Sequence, residues 1–372
     1  MPKQKVRLLI VDDSVFTRAT LKKILSRDPG IEIVDEARDG REGILKLQQH
    51  KPDVVTMDVE MPVMNGLQAL EEIMRLQPTP VIVLSSVTTT GARLTMNAFE
   101  LGAADVVAKP SGKSGDGLAE LTQDLIMKIK AAAEIDPRRL RGSFPRPASI
   151  AGGLAGTARR AEAAGSGARV PGATPRQRVE LVAIGTSTGG PRALQMVLQE
   201  LPADLPVPVV VAQHMPNGFT ELLAKRLDGI CPLAIREVED GEVLKNGTVY
   251  IAQSGKQIQV TKKGTSYVAQ IGDEMPIKTL YKPSVDIMFL SLAKGAPPNA
   301  VLGVVMTGMG ADGLRGAKEM KNKGSFLIAE SEQTCIVYGM PRVIVEAGLA
   351  DRVEDLPNIA RAIMECVNAN KR

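Results

Sequence analysis

The 372-residue chain has no tryptophan, and aromatic residues make up only 3% of it. Proteins that grip single-stranded nucleic acid stack bases on aromatic side chains, so this class is not expected. There are three cysteines, Cys231, Cys335 and Cys366, widely spaced and odd in number. Neither a zinc site nor a disulfide framework is expected, which points to a reducing, cytoplasmic setting. No apolar run approaches the roughly 18 residues of a membrane span, so no membrane insertion is expected. The apolar stretch that follows Met1-Pro2-Lys3-Gln4-Lys5 is too short for the core of a signal peptide. Histidine is nearly absent, with only His50 and His214. Any chemistry that needs an imidazole base has almost no choice of residue.

What is present is globular in character. The chain is 44% hydrophobic and 24% charged, and its length suits two or three domains. From Val6 to Ile135, strand-like and helix-like segments alternate. The strand runs are Val6–Val11, Ile31–Val34, Val54–Met57, Val81–Leu84 and Asp105–Ala108, each followed by a segment of helical spacing. Five such units predict a parallel sheet with helices on both faces, placed at residues 1–136. Residues 137–178 then hold seven Gly, five Pro, nine Ala and nine Arg, with Glu162 the one acidic residue. This stretch reads as a flexible tether carrying the chain's basic excess. Residues 179–372 alternate again and predict a second, mostly parallel α/β domain. Within it, Val243–Gln270 reads as an antiparallel insertion, with Lys245-Asn246-Gly247 as its hairpin turn.

Ligands of open parallel sheets bind beyond the carboxyl ends of the strands. Asp12, Asp13, Asp58, Ser85 and Lys109 all fall at such ends. Three converging carboxylates repel one another unless a cation lies between them, and Mg²⁺ with oxygen ligands fits best. A lysine and a hydroxyl on the far rim suit phosphate oxygens. The cluster therefore suits Mg²⁺-assisted phosphorylation of an aspartate. Any one of these aspartates could instead cap a following helix.

In the second domain, Gly185-Thr186-Ser187-Thr188-Gly189-Gly190 follows an apolar strand and precedes a helical segment opening at Pro191. It matches G-x-S-x-G, which places a serine where helix amides meet a developing anion. A phosphate-cradling or purely structural turn is the bland alternative. His214 ends another strand and would lie at the same sheet edge, where it could serve as base. Asp312, at the end of Val301–Met306 and the start of a helix, could orient the imidazole or simply cap that helix. A rival pattern overlaps it: Gly308-x-Gly310-x-x-Gly313, with Glu330 near the spacing of a ribose-binding acid, matches a dinucleotide fingerprint.

Two resemblances bear on these readings. Asp12-Asp13, Val54 through Pro62 with Asp58 inside it, Gly66, Ser85 and Lys109-Pro110 resemble the receiver domain of two-component response regulators. The resemblance implies a flavodoxin-like fold, with Asp58 as phosphoacceptor and a sensor histidine kinase as donor. Asp12, Asp13 and Asp58 would then hold Mg²⁺, and Lys109 and Ser85 (or Ser86) would contact the phosphate. Gly185 through Pro191, Gln213-His214-Met215-Pro216, Lys282-Pro283-Ser284-Val285-Asp286 and Thr307 through Gly313 resemble the chemotaxis protein-glutamate methylesterases. That resemblance implies Ser187 as nucleophile, His214 as base and Asp312 as orienting acid. Thr188 and Met309 fall at positions tied to the site and its oxyanion binding, and no cofactor is implied there. It further implies removal of methyl groups from glutamate esters on methyl-accepting chemoreceptors, with glutamine deamidation beside it. The competing class is a response regulator whose output binds DNA or protein without catalysis. A DNA-binding output would place basic residues on a recognition helix, and here they sit in the tether, so no nucleic acid partner is expected.

Overall fold

The computed structural model describes residues 5–85, 89–109, 116–140, 174–175, 177–273 and 276–369. The N-terminal part alternates β1 (Val6–Val11), α1 (Val15–Leu25), β2 (Ile31–Ala37), α2 (Gly40–His50), β3 (Val54–Asp58), α3 (Gly66–Leu76), β4 (Val81–Ser85), α4 (Thr89–Glu100), β5 (Asp105–Ala108) and α5 (Asp116–Ala132). Its sheet has the order β2-β1-β3-β4-β5, with every pair parallel. The strands are apolar runs because helices cover both faces, and every residue of β3 and β4 is buried. Helices begin where a short polar side chain satisfies a free first-turn amide. Ser14, Asp39 and Asn65 accept from Thr17 N, Glu42 N and Gln68 N, and Asn65 with Gln68 closes a capping box. The strand order reverses between β1 and β3, which opens a crevice at their carboxyl ends.

A short helix, α6 (Pro137–Leu140), occupies the first four residues of the stretch expected as tether. One turn that opens on proline carries no periodicity to read from sequence. The rest of the expected tether, 141–173 and 176, lies outside the described residues, as does Ser86.

The C-terminal part runs β6 (Leu181–Thr186), α7 (Gly190–Gln199), β7 (Val209–Gln213), α8 (Phe219–Asp228), β8 (Ala234–Glu237), β9 (Thr248–Ile251), β10 (Gln257–Lys263), β11 (Ser266–Gly272), α9 (Val285–Gly295), β12 (Val301–Val305), α10 (Leu314–Asn322), β13 (Phe326–Glu330), α11 (Met340–Glu346), β14 (Arg352–Glu354) and α12 (Leu356–Asn368). Seven of these strands form a wholly parallel sheet of order β14-β13-β12-β6-β7-β9-β8. The expected antiparallel insertion is smaller than the sequence suggests. Among the described residues β10 and β11 pair antiparallel, turning between Lys263 and Ser266, and Val243 bridges antiparallel to Val268, while β9 joins the parallel sheet between β7 and β8. Asn246-Gly247 does turn the chain, and Gly247 has φ +70, but the turn leads from a crossover into a parallel strand. The dipeptide reports the backbone bend and says nothing of which strands it joins.

The two parts meet at the carboxyl end of the seven-stranded sheet and along α8, whose Leu223 and Leu227 share an apolar cluster with Met96 and Phe99 of α4. Arg226 of α8 donates to Met96 O at 3.2 Å and pairs with Glu100, both on α4. Arg139 of α6 donates to Cys335 O at 2.7 Å, and Arg192 of α7 donates back to Arg139 O at 3.2 Å. Met309 and Val337 join the apolar cluster that contains Ile129, Ile135 and Leu140.

Candidate active site

Two sites lie at the two strand-end crevices. In the first, one oxygen from each of Asp12, Asp13 and Asp58 falls within 4.8 Å of the others. Lys109 Nζ lies 2.6 Å from Asp58 Oδ2 and 3.1 Å from Asp12 Oδ2. Burial pushes the Asp58 carboxyl up; Lys109 pulls it down and Asp12 adds to the rise, and the net direction is upward. Hard carboxylate oxygens, crowded and only partly neutralised by one ammonium, fit a small divalent cation. Ser85, at the end of β4, is buried and accepts a hydrogen bond from Thr95 Oγ1 of α4 at 2.8 Å.

In the second site, the residues come from three neighbouring strands, β12-β6-β7. After β6 the chain turns first toward β7 and later returns on the other side as β12, so β6 marks the reversal where such sheets bind ligands. Ser187 follows β6 and is 2% exposed. Its amide donates to Thr307 O at 3.0 Å, and its carbonyl accepts from Gln213 Nε2 at 2.9 Å. Gly189 adopts φ +80 ahead of α7, a conformation open to few other residues. Gly308 keeps the two loops close: a Cβ there would lie 2.9 Å from Ser187 Cβ and 2.5 Å from Met340 Sδ.

His214 follows β7, and its amide donates to Thr186 O at 3.1 Å. Its Nε2 lies 2.8 Å from Asp312 Oδ2, and both side chains are buried. A neutral imidazole that faces a carboxylate with Nε2 carries its proton there, which leaves Nδ1 as the basic nitrogen. Nδ1 is buried and has no hydrogen-bond partner among the described residues. Ser187 stands on the adjacent strand end, but its hydroxyl is not bonded to the imidazole in this state. Asp312 also accepts from Ser284 Oγ (2.8 Å), Val285 N (2.7 Å) and Asp286 N (3.0 Å). Burial opposes its ionisation; the His214 bond and charge and the two amides outweigh it and hold its carboxyl below the usual range. The amides of Thr188 and Met309 donate to no acceptor among the described residues. Both residues are buried, and they lie on the loops after β6 and β12 that flank Ser187.

Several residues here carry no local sequence signal. Tyr281 lays its ring flat on the His214 imidazole, with centroids 3.9 Å apart and planes 6° from parallel. Thr188 Oγ1 donates to Asp105 Oδ2, across from β5. Asp105 also accepts from Lys128 Nζ at 3.1 Å, and Lys128 reaches Asp124 at 3.5 Å. Burial works against the Lys128 ammonium, but the charges of Asp105 and Asp124 override it and raise its pKa.

Glu330 weighs against the rival dinucleotide pattern. It is fully buried, accepting from Thr307 N at 2.8 Å with one oxygen and from Thr334 Oγ1 at 3.0 Å with the other. Burial pushes its carboxyl up to about 7. With Glu330 holding the loop after β12 and Asp312 committed to His214, the Gly308–Gly313 loop does not present the acid that a dinucleotide ribose needs.

Comparison with known proteins agrees with this layout. Residues 182–363 match the family model described as CheB methylesterase, and residues 8–119 match that of the response regulator receiver domain. A protein-glutamate methylesterase/protein-glutamine glutaminase of Desulfitobacterium hafniense is 56% identical over 98% of this chain and 98% of its own. Similar proteins of the same printed name occur in Oleidesulfovibrio alaskensis (45% identity, 97% of this chain and 99% of that one) and Geobacillus kaustophilus (44% identity, with the same coverage). No described helix is long and apolar enough to cross a membrane. With both models matched in this order, and with such identity along nearly the whole chain, the protein belongs to the receiver-linked CheB methylesterase family.

Proposed function

We propose that the chain hydrolyses glutamate γ-methyl esters on cytoplasmic segments of chemoreceptors, releasing methanol, and deamidates glutamines there. The observation that carries this reading is the buried His214–Asp312 pair at 2.8 Å, on strand ends beside the Ser187 turn. Ser187 Oγ attacks the ester carbonyl while His214 Nδ1 takes its proton, and Asp312 steadies the imidazolium through Nε2. The amides of Thr188 and Met309, which have no acceptor among the described residues, would receive the oxyanion. The carbonyl reforms and the C–O bond to methanol breaks, with the proton returned from His214. Water then attacks the acyl-serine by the same route in reverse and frees glutamate. For a glutamine side chain, ammonia leaves in place of methanol. The non-catalytic output considered from sequence gives way to the matched methylesterase family.

The receiver supplies control. Asp105 binds the hydroxyl of Thr188, the residue next to the nucleophile, and Ser187 itself is 2% exposed. A folded receptor segment has no route to Ser187 in this state. Transfer of a phosphoryl group from a sensor histidine kinase to Asp58 would favour a state in which the two parts separate. Asp12, Asp13 and Asp58 would hold Mg²⁺, which shields the carboxylates and the incoming phosphoryl oxygens. Lys109 is within reach of the same oxygens, and Ser85 stands at the neighbouring strand end. The test measures methanol released from methylated receptor, with and without a phosphodonor, for the unaltered protein, Ser187→Ala and Asp58→Asn. Turnover by Ser187→Ala would remove the serine mechanism. Equal activity of the unaltered protein with and without donor would remove the control.

A further inference from the structure

The segment Tyr281–Ser284 lies between β11 and α9 and touches both members of the His214–Asp312 pair. At its far end Ser284 Oγ donates to Asp312 Oδ1 at 2.8 Å. At its near end the Tyr281 ring covers the His214 imidazole face to face. Both ends are held by one side chain. Gln257, 2% exposed at the start of β10, donates from Nε2 to Tyr281 O at 2.8 Å and accepts from Ser284 N at 2.8 Å with Oε1. The Tyr281 amide is tied in turn to Thr279 Oγ1 at 3.1 Å. A fixed ring on a fixed backbone is therefore set against the only histidine of this half of the chain.

We propose that Tyr281 is a positioning residue of the hydrolytic site, whose ring fixes the plane of the His214 imidazole. A single hydrogen bond from Nε2 to Asp312 leaves the imidazole free to rotate about that bond. The parallel ring removes this freedom and keeps Nδ1 aimed as the base. It also lays a π face against the imidazole as it gains charge during attack, an attractive arrangement. The ring, not the hydroxyl, does this. The phenol oxygen has no hydrogen bond among the described residues, and burial pushes its pKa up to about 12. The charged groups around the stacked pair are Asp312 from its own domain and Asp105, Asp124 and Lys128 from the receiver.

The chain has only two histidines, so the test can watch the base directly. The full-length protein is labelled with ¹⁵N-histidine, and the imidazole nitrogens of His50 and His214 are observed by NMR in the unaltered protein, Y281F and Y281L. His50 serves as an internal reference. The unaltered protein and Y281F should show His214 in one tautomer, protonated at Nε2. Y281L, close in bulk but without a π face, should show mixed or broadened nitrogen signals. Under saturating phosphodonor, Y281F should keep kcat within about threefold, and Y281L should lose roughly tenfold or more in kcat at little changed KM, as misplaced catalytic groups do. Thermal unfolding of each variant is followed, and Y281M replaces Y281L where the latter does not fold. A Y281L protein with the native nitrogen signature overturns the proposal whatever its rate. So does a Y281F protein as impaired as Y281L, because the hydroxyl would then be the active part. The rate comparison rests on the esterase reading and the NMR comparison does not. Expected signatures with no turnover in any protein would count against the esterase and leave the role of Tyr281 standing.

Discussion

Replacing Asp105 with asparagine should raise the activity of the unphosphorylated protein. Asp105 sits in β5 of the receiver and accepts a hydrogen bond from Thr188 Oγ1, beside Ser187. Both groups are buried, so the bond is not discounted by solvent. A hydrogen bond to a carboxylate contributes roughly 1.5–3 kcal/mol, against about 1 kcal/mol for a neutral one. Asparagine keeps an acceptor and loses the charge, so the closed state should weaken by about 1 kcal/mol, or roughly fivefold in the closed-to-open ratio. Basal ester hydrolysis should rise by about that factor, and the fully phosphorylated rate should stay put, so the fold-activation shrinks to match. Asparagine also takes one of two carboxylates from the buried Lys128. That cost is internal to the receiver and is read separately, as a lower unfolding temperature. The assay is initial-rate methanol release without and with phosphodonor, on protein shown to be folded by circular dichroism. A folded D105N protein with unaltered basal activity would refute the latch. A fall in basal activity would assign Asp105 to catalysis instead of restraint.

Chelation of divalent cations should abolish phosphoryl uptake at Asp58 and leave basal ester hydrolysis within about twofold, since metal chemistry is assigned to the receiver carboxylates alone; radiolabel transfer and methanol release check the two halves. Asp312→Asn should cut kcat by roughly 10³–10⁴, because an amide favours the wrong imidazole tautomer; its unfolding temperature should fall as well, because an amide NH₂ replaces one buried oxygen that accepts two hydrogen bonds. Glu330 makes a pH prediction. Its native value of about 7 lies above its ordinary 4.5, so the folded chain binds the proton more tightly than the unfolded one. Its contribution is therefore full below the ordinary value and is lost as pH rises toward the native one, by up to roughly 3 kcal/mol. Urea unfolding at about pH 5 and about pH 8 should show this loss in the unaltered protein and much less of it in E330Q.

The parallel sheets were legible because strands buried on both faces must be apolar throughout, as β3 and β4 are. The candidate residues were legible for the same topological reason. Asp12, Asp58, Lys109, Ser187 and His214 each end or follow such a run, and parallel strands bring their ends together. Other features have no local signature. The Thr188–Asp105 bond joins residues 83 apart in sequence, a loop residue of one part and a strand residue of the other. The stack of Tyr281 on His214 brings a loop residue to a strand end, and no periodicity marks either partner. Glu330 left the rival pattern open in sequence because a carboxylate at a strand end looks the same whether it meets a ribose or a neighbouring amide; its buried bonds to Thr307 and Thr334 decide. The Asn246-Gly247 turn failed as a hairpin marker because β8 and β9 are parallel, and the same bend serves a crossover.

Strand β5 gives the proposed control a mechanical basis. It is four residues long, begins at Asp105, which binds Thr188, and ends at Ala108, next to the Lys109 that binds Asp58. Among the described residues it is the edge of its sheet and pairs with β4 alone, so it is held by one ladder where β1, β3 and β4 are each held by two. Phosphorylation would replace the carboxylate facing Lys109 with a larger, more negative group. A small shift of Lys109 then passes along at most about 13 Å of extended chain to Asp105. No large motion is needed there, because a side-chain contact opened to about 3.6 Å is no longer a hydrogen bond. A second route runs beside it: Thr95 of α4 donates to Ser85, on the strand beside Asp58, and α4 carries the Met96 and Glu100 that meet Arg226. The two routes end on different parts of the second domain, α8 and the Ser187 turn. If both hold the closed state, weakening either one alone should shift the equilibrium toward the open state without removing control, which is why D105N is expected to raise basal activity only part of the way to the phosphorylated rate.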